Sequence, residues 1–184
     1  MDGNRLKVKI YSDIQKEQKI VIVEDTELVI RITNATSIKE KRKIVEKYLI
    51  DTYVGKTISK EYLDKRSETK TLFLKETGGD IKELTFKRGD DVLKSLTLLE
   101  QLIEASEYDS EAISSKRRGK NDYYWYFKVF VKVDDRIFAY KLNVGRNRYT
   151  GNIALYSITN YKKQGTEISS SVGLVLLIYQ RTSK

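Results

Sequence analysis

The chain has 184 residues, of which 40% are hydrophobic, and its 35 Lys and Arg outnumber 26 Asp and Glu to give a formal net charge of +9. This length and hydrophobic content suffice for one compact domain, or for a domain with a small appendage. Cysteine and histidine are absent, which excludes thiolate nucleophiles, cysteine-based metal sites and imidazole general bases.

The N-terminal part is expected to hold a β-hairpin followed by a helix. Residues 6–11 and 19–33 alternate apolar with polar side chains, and residues 24–26 can turn between two strands. From Ser37 onward the period changes to about 3.6, and Glu40 stands where a capping box requires it. The lysines of this helix are interpreted as its solvated face. We assign residues 1–54 to this extension and residues 55–184 to the main domain.

The main domain is predicted to combine one clear helix with an antiparallel sheet, an α+β fold. Residues 55–90 are interpreted as a loop or weak strands, and residues 91–106 as an amphipathic helix. A basic loop at 114–122 precedes two strands joined at Asp134 and Asp135, and a third strand begins at 152. The apolar run 172–179 is far shorter than the ~20 residues of a membrane-spanning helix, so we expect a buried strand there.

The excess of basic over acidic residues lies entirely in the last two-fifths of the chain. Residues 1–112 hold 21 basic and 22 acidic side chains, whereas residues 113–184 hold 14 basic and 4 acidic ones, a net of +10. A field of this sign attracts phosphates and releases counterions from a nucleic acid. It would equally attract an anionic membrane or an acidic protein, so charge alone leaves the class of partner open.

The stretch 140–163 concentrates this charge, with five basic residues, no acidic one and four tyrosines. Alternation along its first strand separates Lys141 from the apolar face, and pairing across the hairpin would bring Lys141 near Tyr156 or Thr159. The loop between the strands places Arg146, Arg148 and Tyr149 at one end of the sheet. A cationic, tyrosine-bearing concave sheet would suit RNA, because Lys and Arg hold phosphates and tyrosine stacks on unpaired bases.

The pattern over residues 93–162 resembles the Barnase/EndoU/colicin/RelE-like (BECR) nuclease domains of phage and bacterial polymorphic toxins. The resemblance rests on the segments "LLEQLIEASEY", "YYWYFKVFVKV", "DDR", "IFAYKLNV" and "GNIALYSITN" in this order. Lys141 matches a strand lysine of the family and Tyr156 the tyrosine of its closing strand, while Ser67 and Lys70 match an upstream Ser/Thr and Lys. Two departures stand out: Ser157 replaces the usual Asp, and the His that many members carry before the helix is missing.

This resemblance implies a helix packed on a twisted antiparallel sheet and a metal-independent endoribonuclease toxin that needs no cofactor. The ribose 2′-hydroxyl would attack the adjacent phosphate, and Lys, Arg and Tyr can act as base, cation and acid if their surroundings shift their pKa values. The implied catalytic residues are Lys141, Tyr156, Arg146, Arg148 and Thr159. The implied substrate-binding residues are Tyr149, Lys116, Arg117, Arg118, Ser67 and Lys70.

The implied partners are tRNA or mRNA and an acidic immunity protein or antitoxin that covers the basic region. The toxin would act in the cytoplasm of a target cell after delivery within a larger protein, and no membrane span is expected. The alternative is a non-catalytic module, either a nucleic-acid binder or a virion-associated interaction domain that keeps the fold. On that interpretation Lys141 is a solvated lysine, Tyr156 a half-buried core tyrosine and the basic loop an ordinary turn.

Overall fold

The computed structural model describes residues 19–161. Its strands are β1 (Ile20–Val23), β2 (Ile58–Leu63), β3 (Thr69–Leu74), β4 (Glu107–Ile113), β5 (Asn121–Val133), β6 (Arg136–Asn147) and β7 (Ile153–Asn160). Its helices are α1 (Glu27–Asn34), α2 (Ile38–Tyr53), α3 (Gly78–Thr85), α4 (Asp90–Ser95) and α5 (Leu99–Ala105), with a 3₁₀ turn at Leu96–Leu98 between the last two. The predicted strands at 6–11 and 172–179 lie outside the described residues.

The main sheet has five strands in an open, mostly antiparallel arrangement. Its path runs β1-β5-β6-β7, and β4 pairs with β5 as well. The thirteen residues of β5 give it room for two neighbours on one side, with β4 beside residues 123–128 and β1 beside residues 130–133. Only β1 runs parallel to its partner, while β2 and β3 form a separate antiparallel pair. These features confirm the α+β class.

The predicted meander from β5 to β7 is confirmed. The turn between β5 and β6 falls at Asp134 and Asp135, where Asp134 adopts a φ of 52°, a left-handed conformation that Asp tolerates better than most residues. The connection from β6 to β7 contains Gly151 at a φ of 69°. Neighbouring strands are joined here by short connections, so the residues that pair lie close together in the sequence. The sequence pattern therefore specifies this region better than the rest of the fold.

One face of the main sheet packs against the helices to form the core. Alternate residues of β5 and β6 point into it, among them Trp125, Phe127, Val129, Tyr140, Leu142 and Val144. The helices contribute Leu93, Leu96, Leu99 and Leu102, all fully buried, and each such side chain stabilises the fold by about 1.5–3 kcal/mol. Val21, Ile32, Val45 and Leu49 belong to the same cluster, so residues 20–53 share one core with the rest.

The predicted N-terminal hairpin is wrong. Residues 27–33 form helix α1 and not a second strand, because Thr26 caps it by accepting a hydrogen bond from the Val29 N–H. Val29 and Ile32, three residues apart, then both face the core. Strand β1 instead joins the main sheet through its parallel pairing with β5.

The helix predicted from Ser37 is confirmed, but its cap differs in detail. The Ser37 hydroxyl accepts a hydrogen bond from the Glu40 N–H at 3.2 Å, as a capping box requires. The Glu40 carboxylate, however, accepts hydrogen bonds from the N–H and hydroxyl of Thr36. The helix therefore begins where the sequence places it, with Thr36 taking the reciprocal role.

The region 55–106 departs from expectation at three points. The weak strands are present as β2 and β3, but they are followed by helix α3, which the sequence analysis does not predict. The helix predicted at 91–106 is interrupted by the 3₁₀ turn at Leu96–Leu98. Strand β4, which was not predicted, begins directly after α5. Within residues 19–161, no helix has the length and apolar character needed to cross a membrane.

Candidate nucleic-acid interface

The second face of the main sheet, turned away from the core, carries aromatic and polar side chains. We call this surface the open face and define it by Tyr124, Tyr126, Lys128, Lys141, Asn143, Gly145, Tyr156, Ser157 and Thr159. Register places Tyr126 opposite Asn143 and aligns Lys128, Lys141 and Thr159 across three strands. Most of these side chains are half-buried, and so remain accessible at the surface.

Three tyrosine rings lie together on the open face. Tyr124 and Tyr126 alternate with the core residues of β5, and their ring centroids are 6.3 Å apart with an interplanar angle of 13°. Tyr156 lies at the irregularity in the β6–β7 register, and its ring centroid is 5.7 Å from that of Tyr124. Burial, and then the neighbouring Tyr126 and Tyr124, raise the pKa of Tyr156. Its phenol is therefore protonated at neutral pH and can donate a proton but not accept one.

Two lysines of the open face lie over aromatic rings. Lys141 Nζ lies 4.0 Å from the ring centroid of Tyr126, and Lys128 Nζ lies 4.5 Å from that of Phe130 and 4.9 Å from that of Tyr161. Such cation–π contacts are worth about 0.5–2 kcal/mol. They place two like charges on directly opposed positions of β5 and β6, and Lys141 is half-buried beside its ring, where its ammonium group can meet an anion.

The sequence-predicted residues Lys141, Tyr156 and Thr159 are brought together on this face. Thr159 lies directly opposite Lys141 in β7, one of the two neighbours expected for that lysine. The Thr159 hydroxyl accepts a hydrogen bond from Asn143 Nδ2 at 3.4 Å, and the same amide donates to the Ser157 hydroxyl at 2.7 Å. Asn143 thus fixes the hydroxyls of β7 beside the lysine.

Arg146 and Arg148 are engaged elsewhere. Arg146 donates Nε and Nη2 to the two carboxylate oxygens of Asp122, at 2.9 and 3.1 Å, and its Cα partner Tyr123 shares the core-side face with Trp125. Arg148 donates to the backbone carbonyls of Gly119 and Lys116 at the end of the sheet. Both guanidinium groups therefore stabilise loop and strand ends, away from the open face.

The basic loop, predicted at 114–122 and found at 114–120 between β4 and β5, is anchored at one end. Lys120 makes ion pairs with Asp80 and Glu83 of α3, at 2.9 and 3.1 Å. The remaining cations of the loop are Lys116, Arg117 and Arg118. All three are exposed, and none makes an ion pair with a carboxylate in residues 19–161. Tyr149, in the nearby turn, is 76% exposed, so this end of the sheet offers a second cationic surface with a free ring.

Ser67 and Lys70 lie at the tip of the β2–β3 hairpin, in the other sheet. Ser67 adopts a φ of 59° in the turn, and its N–H donates to the Asp64 carbonyl. Lys70 is paired with Glu68 at 2.6 Å on an exposed surface. The structure therefore does not bring these two residues together with Lys141 and Tyr156.

Tyr124 and Tyr126 are not among the site residues predicted from the sequence. The available signal was the period of two, since both tyrosines alternate with the buried Trp125 and Phe127. Together the open face offers cations, protonated phenols, hydroxyls and an amide. Among residues 19–161, no group of three or more Asp and Glu side chains is arranged to hold a metal ion.

No protein-family model matches the chain, and no curated protein or solved structure is detectably similar to it. Its function therefore has to be inferred from its own residues.

Proposed function

We propose that this chain binds unpaired RNA on the open face. The observation that carries the proposal is the cluster of three tyrosine rings with Lys141 beside Tyr126 on one accessible sheet surface. Proteins recognise single-stranded RNA by stacking bases on aromatic side chains while cations hold the phosphates, and a β-sheet face is a common platform for both. Each stacked base contributes about 1–3 kcal/mol.

The tyrosines favour RNA over the other partners that positive charge alone allows. An anionic membrane surface or an acidic protein would be attracted by the same positive charge, but neither requires three clustered aromatic rings. The basic loop with Lys116, Arg117 and Arg118 extends the positive surface at one end of the sheet, where the backbone of a bound strand could continue. An acidic immunity protein would compete for this same surface.

Metal-independent RNA cleavage of the BECR type is a second candidate function. It is favoured by Lys141 facing Thr159 across β6 and β7 with Tyr156 on the same face, and by the resemblance of residues 93–162 to those nucleases. Lys141 would stabilise the charge of the phosphorane, and Tyr156 would protonate the leaving 5′-oxygen. A base for the 2′-hydroxyl is also required, and the raised pKa of Tyr156 prevents that residue from serving.

The binding proposal is tested by fluorescence anisotropy with a short labelled oligoribonucleotide, single-stranded or as a duplex. We expect tighter binding of the single strand. Lys141→Ala should reduce the slope of affinity against salt by about one ion, and Tyr126→Ala should weaken binding about 5- to 150-fold. The matched control is Lys47→Ala, which removes an exposed lysine of α2 paired with Asp51.

The outcomes separate the candidates. Equal losses from Lys47→Ala and Lys141→Ala, or no binding at all, would reject an RNA site on the open face. The same RNA is then run on a denaturing gel after incubation with the wild type and Lys141→Ala. Discrete fragments from the wild type alone establish the endoribonuclease, whereas intact RNA that is nevertheless bound establishes the non-catalytic module.

A further inference from the structure

Asn121, at the start of β5, lies against Gly145 of the open face. A Cβ atom at Gly145 would clash with Nδ2 of Asn121 and would lie 3.2 Å from Cδ1 of Tyr156. The Asn121 amide therefore rests directly on the backbone of Gly145, beside the ring of Tyr156. Tyr124 is the Cα partner of Gly145 and packs against Tyr156. We call this group, Asn121, Gly145, Tyr124 and Tyr156, the amide niche.

The amide of Asn121 makes no hydrogen bond to any residue from 19 to 161. Asn121 and Asn143 are both only 7% exposed. The Asn143 amide donates hydrogen bonds to the hydroxyls of Ser157 and Thr159, whereas the Asn121 amide has no partner among residues 19–161. The folded chain thus carries a polar group whose hydrogen bonds its described residues do not supply.

The unpaired amide also retains access to solvent. The unpaired side-chain atoms that are sealed from solvent among residues 19–161 are Glu76 Oε2 and Tyr108 OH, and no atom of Asn121 is among them. Water or a ligand atom can therefore reach the amide. Its neighbours on the open face are the flat rings of Tyr124 and Tyr156, so a planar ligand group suits this position.

We propose that Asn121 reads the hydrogen-bonding edge of one unpaired nucleobase that stacks on Tyr124 or Tyr156. This inference rests on the proposed RNA binding and adds base selectivity to it. An Asn side chain presents an acceptor and two donors, and nucleobases present adjacent donors and acceptors that such an amide can pair with simultaneously. Phosphate is a poorer ligand for the niche, because the niche contains no cation and Arg146, which follows Gly145 in β6, is paired with Asp122.

Gly145 is part of this device. A side chain at position 145 would occupy the space in which the Asn121 amide lies, so glycine keeps the amide at the level of the rings. Glycine within a strand otherwise weakens it, and its use often marks a close approach of another group. The niche accounts for a glycine in the interior of β6.

The test compares the affinities of oligo(A), oligo(U), oligo(C) and a mixed-sequence oligoribonucleotide for the full chain. The wild type should prefer one base, with about 5- to 150-fold discrimination from a paired amide. Asn121→Ala should abolish this preference while leaving the salt dependence and the affinity for the less favoured oligonucleotides unchanged. Gly145→Ala, which displaces the amide, should also abolish the preference.

Asn152→Ala is the matched control, since it removes an amide that donates to the Lys75 carbonyl at 2.7 Å and belongs neither to the open face nor to the niche. It should lower thermal stability more than Asn121→Ala and keep the base preference. Equal affinity of the wild type for all oligonucleotides would overturn the inference while leaving RNA binding intact. A preference that survives Asn121→Ala would overturn it as well, and loss of all binding by the wild type would instead reject the proposed function on which it rests.

Discussion

Glu76, in the connection between β3 and α3, is expected to make the stability of the fold depend on pH. Its side chain is 4% exposed, and its Oε1 accepts a 2.8 Å hydrogen bond from the Leu155 N–H of β7. Burial raises the pKa of Glu76 from the usual 4.5 to about 8. The charge of Asp80 adds to this rise, while the Leu155 hydrogen bond and the charge of Lys120 oppose it.

The size of the effect follows from the two protonation states. The folded chain keeps the Glu76 proton up to about pH 8, whereas the unfolded chain loses it near pH 4.5. Between these values the folded state binds one more proton, so the free energy of unfolding falls by about 1.4 kcal/mol per pH unit. The contribution of Glu76 is fully present below pH 4.5 and is lost as the pH rises through 8. From about pH 5.5 to about pH 7.5 the loss is about 3 kcal/mol.

Glu76→Gln provides the assay, because the glutamine stays neutral and still accepts from Leu155. Urea unfolding followed through the fluorescence of Trp125, the single tryptophan, gives the free energy of unfolding of both proteins at several pH values. The difference between them should change by about 3 kcal/mol over that interval, with the wild type losing stability. Glu83→Gln, at an exposed position of α3, is the control. If the two proteins differ in their free energy of unfolding by the same amount at every pH, Glu76 does not cause the pH dependence.

Three further predictions concern local contacts. Thr77→Ala removes the capping box of α3 formed with Asp80, and thermal unfolding should show a loss of about 1–2 kcal/mol that Thr77→Ser largely restores. Tyr140→Phe leaves the carboxylate of Asp91 without its 2.6 Å hydrogen bond, which should cost about 1–3 kcal/mol; unchanged stability would contradict that role. Asp122→Asn releases Arg146, which lies away from the open face, so the slope of RNA affinity against salt should stay unchanged; a slope steeper by about one ion would show that Arg146 contacts the RNA.

The sequence predicts the meander and the second helix because their signals are local. The period of two in β5 and β6, with Asp134 and Asp135 between them, has one simple structural solution. The strand predicted at residues 27–33 was wrong, because a run of β-branched and apolar side chains fits both the strand period of two and the helical period of 3.6. There the cap from Thr26 and the burial of Ile32 against distant helices decide the outcome.

The candidate site is only partly predictable, since some of its contacts join residues far apart in the chain. The alignment of Lys141 with Thr159 follows from a hairpin and was expected. The pairing of Arg146 with Asp122 spans 24 positions, and nothing in the local pattern indicates that this arginine is already neutralised. The place of the Asn121 amide against the backbone of β6 is likewise a product of tertiary register.

The central claim, RNA on the open face, is tested most directly by mapping crosslinks from an oligoribonucleotide that contains 4-thiouridine. The peptides that carry the crosslinked base are identified by mass spectrometry after irradiation and digestion. If RNA binds the open face, we expect crosslinks at Tyr124, Tyr126 or Tyr156. Crosslinks confined to the lysines of α2 or to the β2–β3 hairpin would contradict it.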